Sequence, residues 1–424
     1  MSAATPVSDP ASSLPAAVRW RAYGVSLAGW LFDFYDLVLF AYLAQAIGRD
    51  PGFHWGADAH RNKALLVGIA LATSGVGGIV FGGLADRFGR KRVMSWTILV
   101  YSLSTGLCGL ATGLGMLALF RGLTGFGVGG EWATGHALMA EIFPQKQRGR
   151  AAALLQAGEP VGVALAVIAG FWLEPKIGWR ALFFVSALPA LLVFAVRRHV
   201  PESPLWLQRQ QIAGFFEPYK ELARNHWRAA LQGWALGASK LGTYWLTYVW
   251  LPEYFTELEQ AHTQGVAFSS IRLQFILVAQ GGQLLGMLTF GWLSDRFGRR
   301  PAFSAYSLLT AVGLLALSQR GPQMLAQPLL FWPAMLAVGF GSGCTAGFGA
   351  LLAELFPTHI RNTAMGTVYN LARGFQFFTQ MAMASIAGRF GVGQGLLLAM
   401  AFALFTGTFV WTFRETRGVD LHAA

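Results

Sequence analysis

A short basic stretch occurs twice in this chain, each time between two long apolar runs. Gly82-Gly83-Leu84-Ala85-Asp86-Arg87-Phe88-Gly89-Arg90-Lys91-Arg92 returns as Gly291-Trp292-Leu293-Ser294-Asp295-Arg296-Phe297-Gly298-Arg299-Arg300. A second pair follows nearly the same spacing: Glu141-Ile142-Phe143-Pro144 with Arg148, and Glu354-Leu355-Phe356-Pro357 with Arg361. The first pair runs from position 82 to 291 and the second from 141 to 354, offsets of 209 and 213. Two independent matches at one period mean a duplicated half-chain. Each basic copy reads as a tight charged turn joining two membrane helices.

The charge content fits that solvent. Of the 424 residues 54% are hydrophobic and 12% charged, where a soluble chain carries about 25% charged residues. The net charge of +12 does not point to nucleic acid, because the basic residues sit in short clusters between apolar runs, as cytoplasmic membrane loops do. Cys108 and Cys344 both lie in apolar runs and give neither a disulfide framework nor metal-ligand spacing. Lacking a basic n-region, the first residues read as a disordered cytoplasmic tail and not as a cleaved signal peptide.

A spanning helix needs about 20 apolar residues, and twelve stretches qualify: 22–47, 64–85, 93–112, 115–141, 149–172 and 180–197, then 229–251, 272–294, 301–319, 328–354, 361–387 and 391–413. The expected fold is an all-α membrane protein, twelve transmembrane helices in two six-helix pseudo-symmetric bundles. Its parts are a cytoplasmic tail (1–21), a first bundle (22–197), a cytoplasmic linker (198–228), a second bundle (229–414) and a second tail (415–424). With both termini inside, 21 Lys and Arg fall on cytoplasmic segments and 8 on external ones, which sets the topology by the positive-inside rule. Long continuous runs exclude a β-barrel. The abundant glycines suit helices packed closely in lipid.

Twelve helices in two halves, with the paired loop motif after helices 2 and 8, resemble the major facilitator superfamily over almost the whole chain after residue 20. Leu117-x-x-x-Arg121-x-x-Thr124-Gly125-x-Gly127 resembles the family's helix-4 motif, whose arginine is associated with proton coupling. Pro201-Glu202-Ser203-Pro204 resembles the motif at the end of helix 6 in sugar porters. Arg414-Glu415-Thr416-Arg417-Gly418 resembles the matching motif after helix 12, with arginine in place of proline. Asp33-x-x-Asp36 in helix 1 resembles the aromatic-acid and sialate or monocarboxylate proton symporters. The resemblance implies proton-coupled import of an organic anion by a bacterial inner-membrane protein that functions as a monomer.

An ionisable group at bilayer depth costs a few kcal/mol or more, so those present mark function. At ~1.5 Å rise per residue, Asp36 and Arg121 both lie roughly 21 Å from the cytoplasmic side and can meet. Asp33, Asp36, Arg121 and Glu159 are the expected proton-coupling set, with fixed structural ion pairs as the alternative. Lys240 and Arg373 fall near the midplane of the second half, so the first half is acidic at its centre and the second basic. A carboxylate calls for two such cations and a neutral sugar does not. The alternative is that they pair across the interface with Asp33 and Glu159. Tyr244, Tyr248, Tyr369, Asn370 and Gln376 complete a candidate substrate pocket, with Gln156 and Gln280 as further lining.

Asp86, Arg87, Arg90, Glu131, Glu141, Arg148, Asp295, Arg296, Arg299, Glu354 and Arg361 are the expected gating residues. Glu131 would accept from Arg87 or Arg90, and Glu354 from Arg296 or Arg299. No P-loop, metal cluster or nucleophile triad appears, so neither a cofactor nor an enzymatic activity is expected. The function read here is a proton-coupled symporter of a small organic anion, a monocarboxylate or aromatic acid, in the lipid bilayer. The rivals are a sugar–proton symporter, a non-transporting sensor, and an exporter or uniporter.

Overall fold

The structure is a computed structural model and describes residues 14–143, 154–207, 214, 216–261, 268–357 and 360–415. Among these residues there is no strand, and the helices group into twelve spans. In the first half they are α1 (Ala16–Arg49), α2 (Ala59–Phe88), α3 (Arg90–Cys108), α4 (Leu114–Ile142), α5 (Gly158–Ile168, with a π-helical turn over Ala169–Leu173) and α6 (Glu174–Val185 and Leu192–His199). Gly178, at φ 78°, breaks the segment Glu174–Val185, and the chain turns there from the α5 side into the rest of α6. Short helices Pro204–Leu207 and Glu217–Asn225 lie in the connection. The second half has α7 (Trp227–Ala261), α8 (Phe268–Phe297), α9 (Arg299–Ala326), α10 (Phe331–Ser342 and Thr345–Leu355), α11 (Arg361–Gly374 and Gln376–Phe390) and α12 (Val392–Phe409). Among the described residues seven helical stretches, Gly56–Phe88 and Val392–Thr412 included, are long and apolar enough to cross a membrane on length and composition alone.

The helices overrun the apolar runs that announce them. Leu251 closes the hydrophobic stretch of α7, yet the helix continues through Pro252 and Glu253 to Ala261. Likewise α2 begins before Lys63. Hydropathy ends a span at its first charge, whereas the backbone ends a helix only where its hydrogen bonds stop being satisfied.

Packing repeats with the sequence. In the first half α4 lies against α2 and α3; in the second α10 lies against α8 and α9. Glycine makes both contacts possible. A Cβ on Gly125 of α4 would collide with the Ala70 carbonyl of α2, and one on Gly339 of α10 with the Ala279 carbonyl of α8. Lipid gives no hydrophobic drive between helices, so such close approach is what holds them. The halves meet mainly where α2 faces α11 and α5 faces α8.

The twin basic turns share one device. Gly89 (φ 96°) and Gly298 (φ 100°) take a backbone conformation that L side chains avoid, and each turns the chain into the next helix. The exposed N–H groups of that next helix are capped from afar. Glu202 Oε1 accepts from the Arg90 and Lys91 amides at 2.8 and 3.3 Å. Glu415 accepts from the Arg299 and Arg300 amides at 3.0 and 3.1 Å. A carboxylate at a helix N-terminus satisfies orphan donors and opposes the macrodipole. This is the physical content of the motifs that follow α6 and α12.

Candidate functional site

The centre of the bundle gathers charge from both halves. Asp33 and Asp36 of α1, Arg121 and Glu131 of α4, Glu159 of α5, Lys240 of α7 and Arg373 of α11 are all buried. Arg373 Nη2 donates to Asp33 Oδ2 at 3.5 Å, across the boundary between the halves. Its Nε and Nη1 have no hydrogen-bond partner, nor has Asp33 Oδ1. The guanidinium sits 5.6 Å from the Phe34 ring centre and 5.9 Å from that of Tyr369.

Glu159 is held by two amides, one from each half. Gln156 Nε2 donates to it at 2.6 Å and Gln283 Nε2 at 2.8 Å. Lys240 is within electrostatic range of Glu159 and beside the Cys344 thiol. Among the described residues no carboxylate lies within ion-pair distance of Lys240. The halves are thus cross-paired, Arg373 with Asp33 and Lys240 toward Glu159.

Around these cations stands an aromatic wall. Phe34 stacks on Trp245 with centroids 6.0 Å apart and meets Tyr244 edge-on at 5.9 Å, and Tyr244 packs on Tyr248 at 4.8 Å. The Tyr244 hydroxyl and both amide atoms of Gln280 are buried without a hydrogen-bond partner. Unpartnered polar groups in a sealed apolar setting are costly, and here they gather beside the aromatic wall.

Other expected members of the site sit differently. Arg121 comes to the depth of Asp36, but its terminal nitrogens donate to the main-chain carbonyls of Asp36 and Leu37, at 3.2 and 3.4 Å. Both carboxylate oxygens of Asp36 are without a hydrogen-bond partner. The expected Asp36–Arg121 ion pair is therefore an electrostatic neighbourhood and not a direct bond. Gln376 is fully committed: it donates to the Ala238 and Ala372 carbonyls at 3.0 and 2.8 Å and accepts from Thr379. It clips α11 to α7 and offers nothing to a ligand. Asn370 packs where Gly75 and Gly78 of α2 leave room, and donates to the Gly366 carbonyl at 2.8 Å.

Glu131 also departs from expectation. It meets neither Arg87 nor Arg90; its Oε2 lies 3.0 Å from Thr97 Oγ1, and Oε1 fills the space above Gly29. Arg90 is taken by Asp86 at 2.7 Å, one helical turn away. Arg87 lies over the Phe88 ring, Arg296 over Trp292 and Phe297, and Asp295 is exposed. Arg299 begins α9 and its main-chain N–H donates to the Glu415 carboxylate, while Arg361 Nε donates to the Phe356 carbonyl at 3.2 Å. Arg148, and the side chains of Glu141 and Glu354, lie outside the described residues.

The two ends of the bundle differ. At the basic end a cleft lined by Gly78, Asp86, Arg90, Tyr219, Thr363 and Thr367 separates α2 from α11. Tyr219, on the connecting helix Glu217–Asn225, donates to the Ile79 carbonyl at 3.1 Å. Burial, with Asp86 nearby, pushes its hydroxyl up to about 12, so it stays a donor at physiological pH.

At the opposite end the halves are tied together. Lys63 Nζ of α2 donates to the Glu253 carboxylate and, at 2.6 Å, to the Val249 carbonyl of α7, beneath the Trp250 ring. Gln45 donates to Thr256 at 2.9 Å, and His60 lies 3.8 Å from Glu257. Sequence reasoning missed this pair, since both residues fell just beyond the drawn spans and were counted as loop. The usable signal was a Lys and a Glu, each within two residues of an apolar run, in α2 and α7. Among the described residues no group of His, Cys, Asp and Glu is disposed to hold a metal ion.

The family model of the Major Facilitator Superfamily matches residues 24–271 and 258–422. The chain belongs to the major facilitator superfamily. As a member it is a multi-pass membrane transport protein and not an enzyme. The chain is 29% identical to a sialic acid transporter of Escherichia coli, over 88% of this chain and 89% of that one. It is 27% identical to a cis,cis-muconate transport protein of Acinetobacter baylyi, over 95% and 96%. Among solved structures, a proton:xylose symporter bound to 6-bromo-6-deoxy-D-glucose superposes with a TM-score of 0.74 at 20% identity, over 97% and 99% of the two chains. Such a likeness fixes the fold of this superfamily member alone.

Proposed function

We propose that this protein is a proton-coupled symporter that imports a small organic anion, a monocarboxylate or aromatic acid. The observation that carries this reading is the second half's pair of buried cations. Lys240 has no carboxylate at bonding distance, and Arg373 uses one of its three nitrogens. A guest carboxylate would take the free face of Arg373 through parallel hydrogen bonds, with Lys240 adding charge and Tyr244 and Gln280 supplying polar contacts. The aromatic wall suits a flat or apolar body. Relatives named for muconate and sialic acid, both carboxylates, support the same class.

Coupling follows from competition for Arg373. An arriving anion displaces Asp33, and a buried carboxylate that loses its cation takes up a proton. Asp36 beside Arg121 provides a second such site. The halves then rock about the centre, with the basic end facing the cytoplasm, both termini inside, and the monomer as the working unit in a bacterial inner membrane. The gate at the basic end is formed by Asp86, Arg90 and the twin turns.

The test is uptake into proteoliposomes under an inward proton gradient, with labelled benzoate, lactate, cis,cis-muconate and xylose. A carboxylate should accumulate, Arg373→Ala should abolish it, Lys240→Ala should weaken it, and Asp36→Asn should stop accumulation against the gradient. Accumulation of xylose, and none of the acids, would overturn the reading in favour of a sugar symporter.

A further inference from the structure

Four acids and three bases lie buried at the centre among the described residues: Asp33, Asp36, Glu131 and Glu159 against Arg121, Lys240 and Arg373. Three acids have a base at hand. Asp33 bonds Arg373, Asp36 is in range of Arg121, and Glu159 of Lys240. Glu131 is the acid left over. The charge it faces on α1 is another carboxylate, Asp33, and α3 presents only Thr97 and Tyr101. Among the described residues no cation lies within ion-pair distance of it.

The hydrogen bonds at Glu131 add an independent observation. Thr97 Oγ1 is 2.9 Å from the Met94 carbonyl and 3.0 Å from Glu131 Oε2. A hydroxyl has one hydrogen, and a carbonyl can only accept. The Thr97 hydroxyl is the donor within reach of Glu131 Oε2, and the Met94 carbonyl one turn back competes for the same hydrogen. Glu131 Oε1, pressed above Gly29, has no donor. A buried carboxyl with one shared hydroxyl donor, no donor to its other oxygen and, among the described residues, no cation at bonding distance favours its neutral form.

We propose that Glu131 is a further proton-binding residue of the transport cycle, occupied in the closed state and emptied when water reaches it from the basic end. The step balances simply. The O–H bond of Glu131 breaks, the proton passes to water, and the Thr97 hydroxyl donates to the carboxylate left behind. With Glu131 set aside, the remaining acids and bases at the centre are equal in number, three of each. The inference rests on the proton-coupled reading above for its role in transport, but not for its protonation.

Infrared spectroscopy of the purified protein in lipid tests the protonation without any substrate. At neutral pH the wild-type minus Glu131→Gln difference should contain the carbonyl stretch of a buried protonated carboxyl. Thr97→Val, which removes the hydrogen bond at Glu131 Oε2, should shift that band to higher frequency. A difference spectrum without the band overturns the proposal, whatever the transport assays give. In proteoliposomes carrying benzoate, Glu131→Gln should lose proton-driven accumulation while benzoate exchange persists; accumulation that still follows the gradient overturns the transport role. Should the wild type carry none of the acids tested, the proposed function fails, and the infrared result alone decides the proton on Glu131.

Discussion

Arg373 of α11 reaches Asp33 of α1 across the boundary between the two halves, 340 positions apart in sequence, through a single 3.5 Å contact. Both side chains are fully buried. The link joins one half to the other and leaves most of the guanidinium free. Removing one partner of a buried pair strands the other, at about 3–5 kcal/mol. Arg373→Gln should therefore lower the thermal unfolding midpoint clearly, and Asp33→Asn/Arg373→Gln should recover most of the loss. A single variant as stable as the wild type would show that no ion pair operates here.

Lys240 should matter for affinity more than for stability, because it has no committed partner to strand. A hydrogen bond to a charged group contributes about 1.5–3 kcal/mol, which is roughly ten- to a hundredfold in binding. Lys240→Ala should raise the half-saturation concentration for the transported acid by that order, with the unfolding midpoint little changed. Equal affinity in the two proteins would place the carboxylate elsewhere.

The Lys63–Glu253 pair should act as the lock of the end opposite the basic turns. Breaking it from one side, in Lys63→Met or Glu253→Gln, strands a buried charge in the closed state only, since the open state hydrates both groups. The equilibrium should move toward opening at that end. A cysteine placed at Tyr42, a buried α1 residue in electrostatic range of Glu253, should then react faster with a membrane-impermeant maleimide, against a background in which Cys108 and Cys344 are buried. A reaction rate independent of Lys63 and Glu253 would mean the pair is only a local brace.

Two glycines separate close packing from helix propensity. Gly125→Ala puts a methyl into the Ala70 carbonyl and forces α2 and α4 apart; overpacking of this kind costs typically about 1–3 kcal/mol. Gly281, inside α8, has nothing within 4 Å of a new Cβ, so Gly281→Ala should be neutral or gain up to about 1 kcal/mol from helix propensity. Unfolding midpoints of the two variants should move in opposite directions or differ widely.

Much of this protein could be read along the chain. The spans, the doubled half and the twin turns are local patterns, and so are the charges set in apolar surroundings. Asp33, Asp36, Arg121, Glu131, Glu159, Lys240 and Arg373 stood out because charge in a lipid-length apolar run is rare. Lys63 and Glu253 did not, because a charge at the edge of a run looks like a loop. Glu202 and Glu415 stood out only as motif letters; their work as caps depends on loops that return to a distant helix start.

Partners were decided by the tertiary structure. Depth along a helix follows from the ~1.5 Å rise, so the sequence placed Asp36 and Arg121 at one level correctly. Whether the arginine then meets the carboxylate or the main-chain carbonyls depends on helix rotation, which the packed glycine faces set. The same rotation gives Arg373 to Asp33, points Lys240 toward Glu159, and turns Glu131 to Thr97 instead of the basic turn. Burial preference is summed residue by residue and is legible in one dimension. A pairing needs two elements to agree in depth, rotation and distance at once, and only the folded bundle fixes all three.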